Sequence, residues 1–123
     1  VPYSTTYLQD VDVIVIVYEG EVEPADGHGA LAESGELAER HSCRRFLADC
    51  TSISAHGTLF EVMAFVEMIV AAPPGPLLRE AVVMPLDGAA ADSLEFFETA
   101  CRNRGLDVRV FNERDEALAW LTA

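Results

Sequence analysis

Between Arg44 and Ala72 the sequence reads RRFLADC, TSISAHGT, LFEVMAFVEMIVAA: an apolar strand, a short polar loop and an almost wholly apolar helix. A strand with no polar alternation needs cover on both faces. A helix apolar nearly all round needs to lie under other elements. Both demands are met when the strand sits inside a sheet and the helix packs on it. Stepping about 100° per residue from Phe60 gathers Glu61, Ala64, Glu67 and Ala71 on one narrow side. Leu59, Val62, Val66, Ile69 and Val70 lie opposite and face the sheet, while Phe60 and Met68 fall on the flanks. Exposure of those two would mark a contact surface.

The remaining segments supply the sheet. Tyr3 to Gln9 mixes β-formers with polar residues and reads as an edge strand, and Asp10 to Asp12 turn the chain. VIVIVY, from Val13 to Tyr18, is apolar at odd and even positions and reads as a central strand. Pro24 opens a helix to about Arg40 with a weak stripe of Ala30, Leu31, Leu37 and Ala38. Gly27, Gly29 and Gly35 weaken it, each by about 1 kcal/mol relative to Ala, so it is expected to be the loosest element. Phe46 to Cys50 forms the next strand and TSISAHG the loop after it; the apolar helix then runs from Thr58 to about Ala72.

Pro73-Pro74-Gly75-Pro76 stops that helix, and Ala81 to Met84 is a further strand. Asp87 caps a helix from about Ala89 to Arg104 whose inward stripe is Leu94, Phe97 and Cys101, with Gly105 closing it. Asp107 to Phe111 alternates and reads as the other edge. Asn112 caps a last helix that buries Ala117, Leu118 and Leu121, with Trp120 on its flank. The order β-β-α-β-α-β-α-β-α predicts one α/β domain over residues 1–123. Its sheet is mixed, mostly parallel and five-stranded, in sequential order, with four helices.

Charge narrows the partners. The formal net charge is −13, and all eight Lys-or-Arg positions are Arg. Such a surface repels phosphate backbones and anionic lipid heads, so no nucleic acid is expected. The longest apolar run is broken by Glu61 and Glu67 and falls short of the ~20 residues of a membrane span. Three cysteines without CxxC spacing give no disulfide framework, and no charged-then-apolar leader opens the sequence; a cytoplasmic setting is expected.

Two tracts, FLADCTSISAHG from Phe46 and RGLDVRVFNERDEALAWL from Arg104, together with the element order, resemble the bacterial SpoIIAA-like family. The fold of that family is that of STAS domains such as anti-sigma-factor antagonists. The resemblance implies a small non-enzymatic domain that binds a kinase or sigma-regulator through the loop opening the second helix. In the antagonists that loop carries a phosphorylatable Ser just before a Gly. Here the tract is Ser54-Ala55-His56-Gly57, and His56 precedes the Gly, so phosphorylation at that position is not supported. Looser members have been likened to lipid-binding domains.

The candidate binding residues are therefore Asp49, Ser54, His56, Gly57 and Thr58 in and before the loop, with Phe60, Ala64 and Met68 on the helix. A helix N-terminus there favours an anion, although Ser54 or Thr58 acting as a plain helix cap explains the same residues. Arg44 and Arg45 enter the strand at its far end, roughly 15 Å away by strand rise. His28, His41, Cys43, Cys50, His56 and Cys101 show no zinc-site spacing, so no metal or other cofactor is expected.

Three functions follow in order of preference. The first is a regulatory interaction domain that binds a protein partner or a second copy of itself as a homodimer. The second is a carrier or sensor of a small apolar, lipid-like ligand in a cavity lined by Phe60, Met63, Phe65, Phe96 and Phe97. The third is an enzyme using Asp49, Cys50 and His56.

Overall fold

The computed structural model describes residues 2–54, 59–72, 78–86 and 88–123. The expected stop at residues 73–76 and the cap at Asp87 lie outside them. The elements are β1 (Tyr3–Leu8), β2 (Val13–Gly20), α1 (Pro24–His41), β3 (Arg45–Ile53), α2 (Leu59–Ala71), β4 (Arg79–Val83), α3 (Gly88–Asn103), β5 (Asp107–Phe111) and α4 (Arg114–Leu121). The sheet order is β1-β2-β3-β4-β5. β1 pairs antiparallel with β2, and the other neighbours pair in parallel. The expected mixed α/β sheet with four helices is the one observed.

Burial follows sequence pattern. Val13 to Ile16 in β2 and Phe46 to Ala48 in β3 are buried at successive positions, hence on both faces of the sheet. In β5 only Val108 is buried, with Asp107 and Arg109 exposed on the opposite face, as an edge strand requires. Ile14, Phe46, Ala48, Cys50 and Val82 face one side, where α1, α2 and α3 deliver Ala38, Val66, Ile69, Phe97 and Cys101. Val13, Val15, Leu47, Ala81 and Val83 face the other, where α4 supplies Ala117 and Leu121.

Two arginines fasten that thin second side. The Arg45 guanidinium donates to the carbonyls of Val11 (3.0 Å), Asp12 (3.1 Å) and Leu121 (3.3 Å) and pairs with the Asp12 carboxylate (3.5 Å). Arg79 donates to the Trp120 carbonyl (2.9 Å) and to Asp107 (3.1 Å), and its guanidinium carbon lies 4.3 Å from the centre of a Trp120 ring. Both cations thus sit at the C-terminal end of α4, where free carbonyls and the helix dipole favour positive charge.

Three boundaries differ from expectation. β3 continues through Thr51, Ser52 and Ile53, because Glu19 and Gly20 of β2 extend the ladder beyond a register shift after Val17. β4 begins at Arg79, which pairs with Arg45 and Asp107. The cap of α4 is Glu113 rather than Asn112; it makes no side-chain cap bond, and its carbonyl takes the Ala117 N–H. At the end of α3, Gly105 adopts φ +81°, and the Gly105 and Leu106 amides close back on Arg102 and Cys101.

The glycines of α1 divide by role. A Cβ on Gly29 would run into the Tyr3 hydroxyl of β1, and one on Gly27 would press on the Phe65 ring at 3.3 Å. These two let the helix approach its neighbours. A Cβ on Gly35 would meet nothing within 4 Å. Gly35→Ala is therefore expected to raise stability by about 0.4–1 kcal/mol, read by urea denaturation. Gly29→Ala, under the same measurement, should lose about 1 kcal/mol through crowding against Tyr3.

Candidate functional site

On the three-helix side, the sheet and helices leave a cavity of about 170 Å³. Its floor is Tyr18 of β2, Ala48 and Cys50 of β3, and Glu80 and Val82 of β4. Its walls are the first turn of α1 with Gly27 and His28, Glu61, Val62 and Phe65 of α2, and Ala90, Ser93, Leu94 and Phe97 of α3. The ladder irregularity between Val17 and Glu19 falls beside Tyr18, so the strand bends where the cavity opens. Gly27, which gives way to Phe65, keeps α1 and α2 in contact at its rim.

Glu80 is the outstanding group. Strand alternation puts it on the same face as Val82, among Phe46, Ala48 and Cys50. No side chain among the described residues hydrogen-bonds to it. It also borders a second hollow of about 40 Å³ between α1 and α2. Burial alone raises its pKa from 4.5 to about 7. Its neighbours respond to the same setting. Burial, then the Glu80 charge, pushes up the thiols of Cys50 and Cys101, Cys101 to about 12. Burial also pushes up the Tyr18 phenol.

The residues singled out from sequence do not converge on one place. Asp49 turns to the α4 side, accepts from the Thr51 amide (3.1 Å) and hydroxyl (2.7 Å), and pairs with Arg114 at 3.3 Å. Cys50 turns to the opposite, three-helix side. Asp49 and Cys50 are therefore not parts of one catalytic site, and the buried Cys50 thiol is held protonated, the reverse of what a nucleophile needs. Ser54 is exposed, its amide donating to the Gly20 carbonyl at 3.0 Å. His56, Gly57 and Thr58 lie outside the described residues.

On α2, Phe60 is 83% exposed and Ala64 is exposed, while Met68 is half-buried. Of the five residues expected to line a cavity, only Phe65 and Phe97 do so. Phe60 points outward, and neither Met63 nor Phe96 reaches the lining. Sequence reasoning also missed Glu80 and Leu86. Leu86 is 100% exposed between β4 and α3. It shares with Phe60 the end of the sheet where the parallel strands finish and α2 and α3 begin.

Several solved structures share this fold. An anti-sigma factor antagonist from Mycobacterium paratuberculosis superposes with a TM-score of 0.62 at 17% identity, over 98% of this chain and 95% of that one. An uncharacterized DUF3478-family protein with a SpoIIAA-like fold, from Shewanella loihica, gives 0.52 at 14% identity, over 97% and 91%. No protein-family model matches the sequence, and no curated protein matches it significantly. The chain thus has a SpoIIAA-like fold. Among the described residues no helix is long and apolar enough to cross a membrane.

Glu80 gives the first test of the cavity. Because its folded pKa lies above the unfolded value, the stability it contributes is complete below pH 4.5 and is lost as pH rises toward about 7. At about 1.4 kcal/mol per pH unit, the ionised form costs on the order of 3 kcal/mol. Urea denaturation of Glu80→Gln and wild type at pH 5, 6, 7 and 8 should show the variant gaining about 2–3 kcal/mol relative to wild type across the series.

Proposed function

We propose that the protein is a non-catalytic regulatory domain that works by binding a protein partner. The observation that carries this reading is the pair of large apolar side chains, Phe60 and Leu86, left in solvent at the strand-finishing end of an otherwise buried apolar inventory. Exposed aromatic and aliphatic anchors with a polar surround are what interface centres are built from. The chain carries a net charge of −13, so the partner surface it complements is apolar at its centre and basic at its rim. The anti-sigma factor antagonist that shares the fold supports the assignment by analogy of architecture, and an anti-sigma factor is the corresponding class of partner. Ser54, His56, Gly57, Thr58, Ala64 and Met68 extend the proposed surface along the loop and helix; Asp49 orders Thr51 and Arg114 rather than meeting the partner.

The cavity favours a second reading, a carrier or sensor of one small ligand. An apolar-lined recess with a single carboxyl in its floor has the make-up of a small-molecule site. The two readings use different surfaces and are compatible, since α2 carries Phe60 outward and Phe65 inward.

Partner binding is tested with the double variant Phe60→Ser, Leu86→Ser. Affinity for the protein retained from source lysate, measured by calorimetry, should fall by about 30-fold or more, the loss of one interface anchor. The thermal midpoint should stay within about 2 °C of wild type, because neither side chain is packed. Sedimentation velocity reports self-association in the same pair of proteins. A strictly monomeric wild type that retains no partner would overturn the proposal.

A further inference from the structure

We infer that the cavity accepts a small apolar molecule bearing one basic nitrogen, with the ammonium group seated against the Glu80 carboxylate. The inference rests on the carrier reading above and gives its ligand a chemistry. Size comes first. A buried apolar cavity of ~150 Å³ holds one benzene. At about 170 Å³ this one suits a single ring or a short branched chain, not a long acyl tail. The walls are largely hydrocarbon, from Val22, Ile53, Val62, Phe65, Leu94 and Phe97.

Sign of charge comes next. The ionisable groups that face the cavity are Tyr18 of β2, Cys50 of β3, Glu80 of β4, Glu23 before α1, His28 in α1 and Glu61 in α2. Neither Arg nor Lys lines it among the described residues. A fatty acid or other anion would meet three carboxyl groups and no compensating guanidinium. A neutral hydrocarbon would fill the volume but leave Glu80 as bare as before. An ammonium group supplies what the floor lacks: a charge-assisted hydrogen bond to a carboxylate that no side chain among the described residues meets, in a half-buried recess. The overall charge of −13 draws cations toward the opening.

Three isosteric probes decide the matter: cyclohexylmethylamine, cyclohexylmethanol and cyclohexanecarboxylate, titrated by calorimetry at pH 8 into wild type and Glu80→Gln. Wild type should bind the amine at least about tenfold more tightly than the alcohol and the carboxylate least. Glu80→Gln should lose about tenfold or more for the amine and change by less than about threefold for the alcohol. An independent reading needs no variant: the Glu80 carboxyl, followed by ¹³C NMR in wild type, should titrate at lower pH when the amine is saturating. Lowering the pH through the titration of Glu80 should weaken amine binding, in wild type and in His28→Asn alike. If the alcohol binds as well as the amine, or the carboxylate binds best, the inference is overturned while the carrier reading stands. An unmoved Glu80 titration with amine bound has the same consequence. If none of the three binds, both are overturned.

Discussion

Everything in this molecule depends on a parallel pair of strands that are apolar on both faces. β2 and β3 offer their neighbours little except hydrocarbon, so neither side of the sheet can be left in water. Three helices meet that demand on one side and a single eight-residue helix on the other. The imbalance explains where the arginines go. A short helix buries too little surface to hold itself in place. Arg45 and Arg79 therefore bind its last carbonyls and join it to the β1–β2 turn and to β5. Arg114 fixes its other end to Asp49. In a chain with far more acidic than basic groups, several of its cations serve as internal fasteners.

The same packing creates a place where the core is not self-consistent. Where α1 enters over the irregular end of β2, beside α2 and α3, the helices do not close over the sheet, and β4 sets a carboxyl group into the gap. A leucine there would fill space and remove an ionisable group from hydrocarbon. Local departures from core chemistry of this kind are where ligand chemistry is sought. Phe60 and Leu86 are the complementary departure at the surface, apolar where the surroundings are charged.

Element order, central and edge strands, and the buried and exposed sides of α2 were legible because each rests on a periodicity. Val66 and Ile69 face in and Ala64 and Glu67 face out, as a 3.6-residue repeat demands. What escaped was decided by boundaries and by partners distant in sequence. Taking β4 from Ala81 left Glu80 outside the sheet; a strand two residues longer gives Glu80 the parity of Val82 and places it on the three-helix face. The role of Arg45 depends on Leu121, 76 positions away, which no local pattern relates to it. Asp49 read as the carboxyl end of its strand because β3 was ended at Cys50, whereas three further residues pair with β2 or follow it. Gly27 and Gly29 read as weaknesses because the neighbours that need their bareness, Phe65 and Tyr3, are known only in three dimensions.

The two apolar clusters have no side chain in common; they meet only through the backbone of the strands between them. A change of shape on the three-helix side reaches the α4 side only by displacing a strand, and the ladder resists that. The architecture is thus a keel with a refittable deck. A residue exchanged at the rim of the recess alters the guest it takes without touching the α4 side.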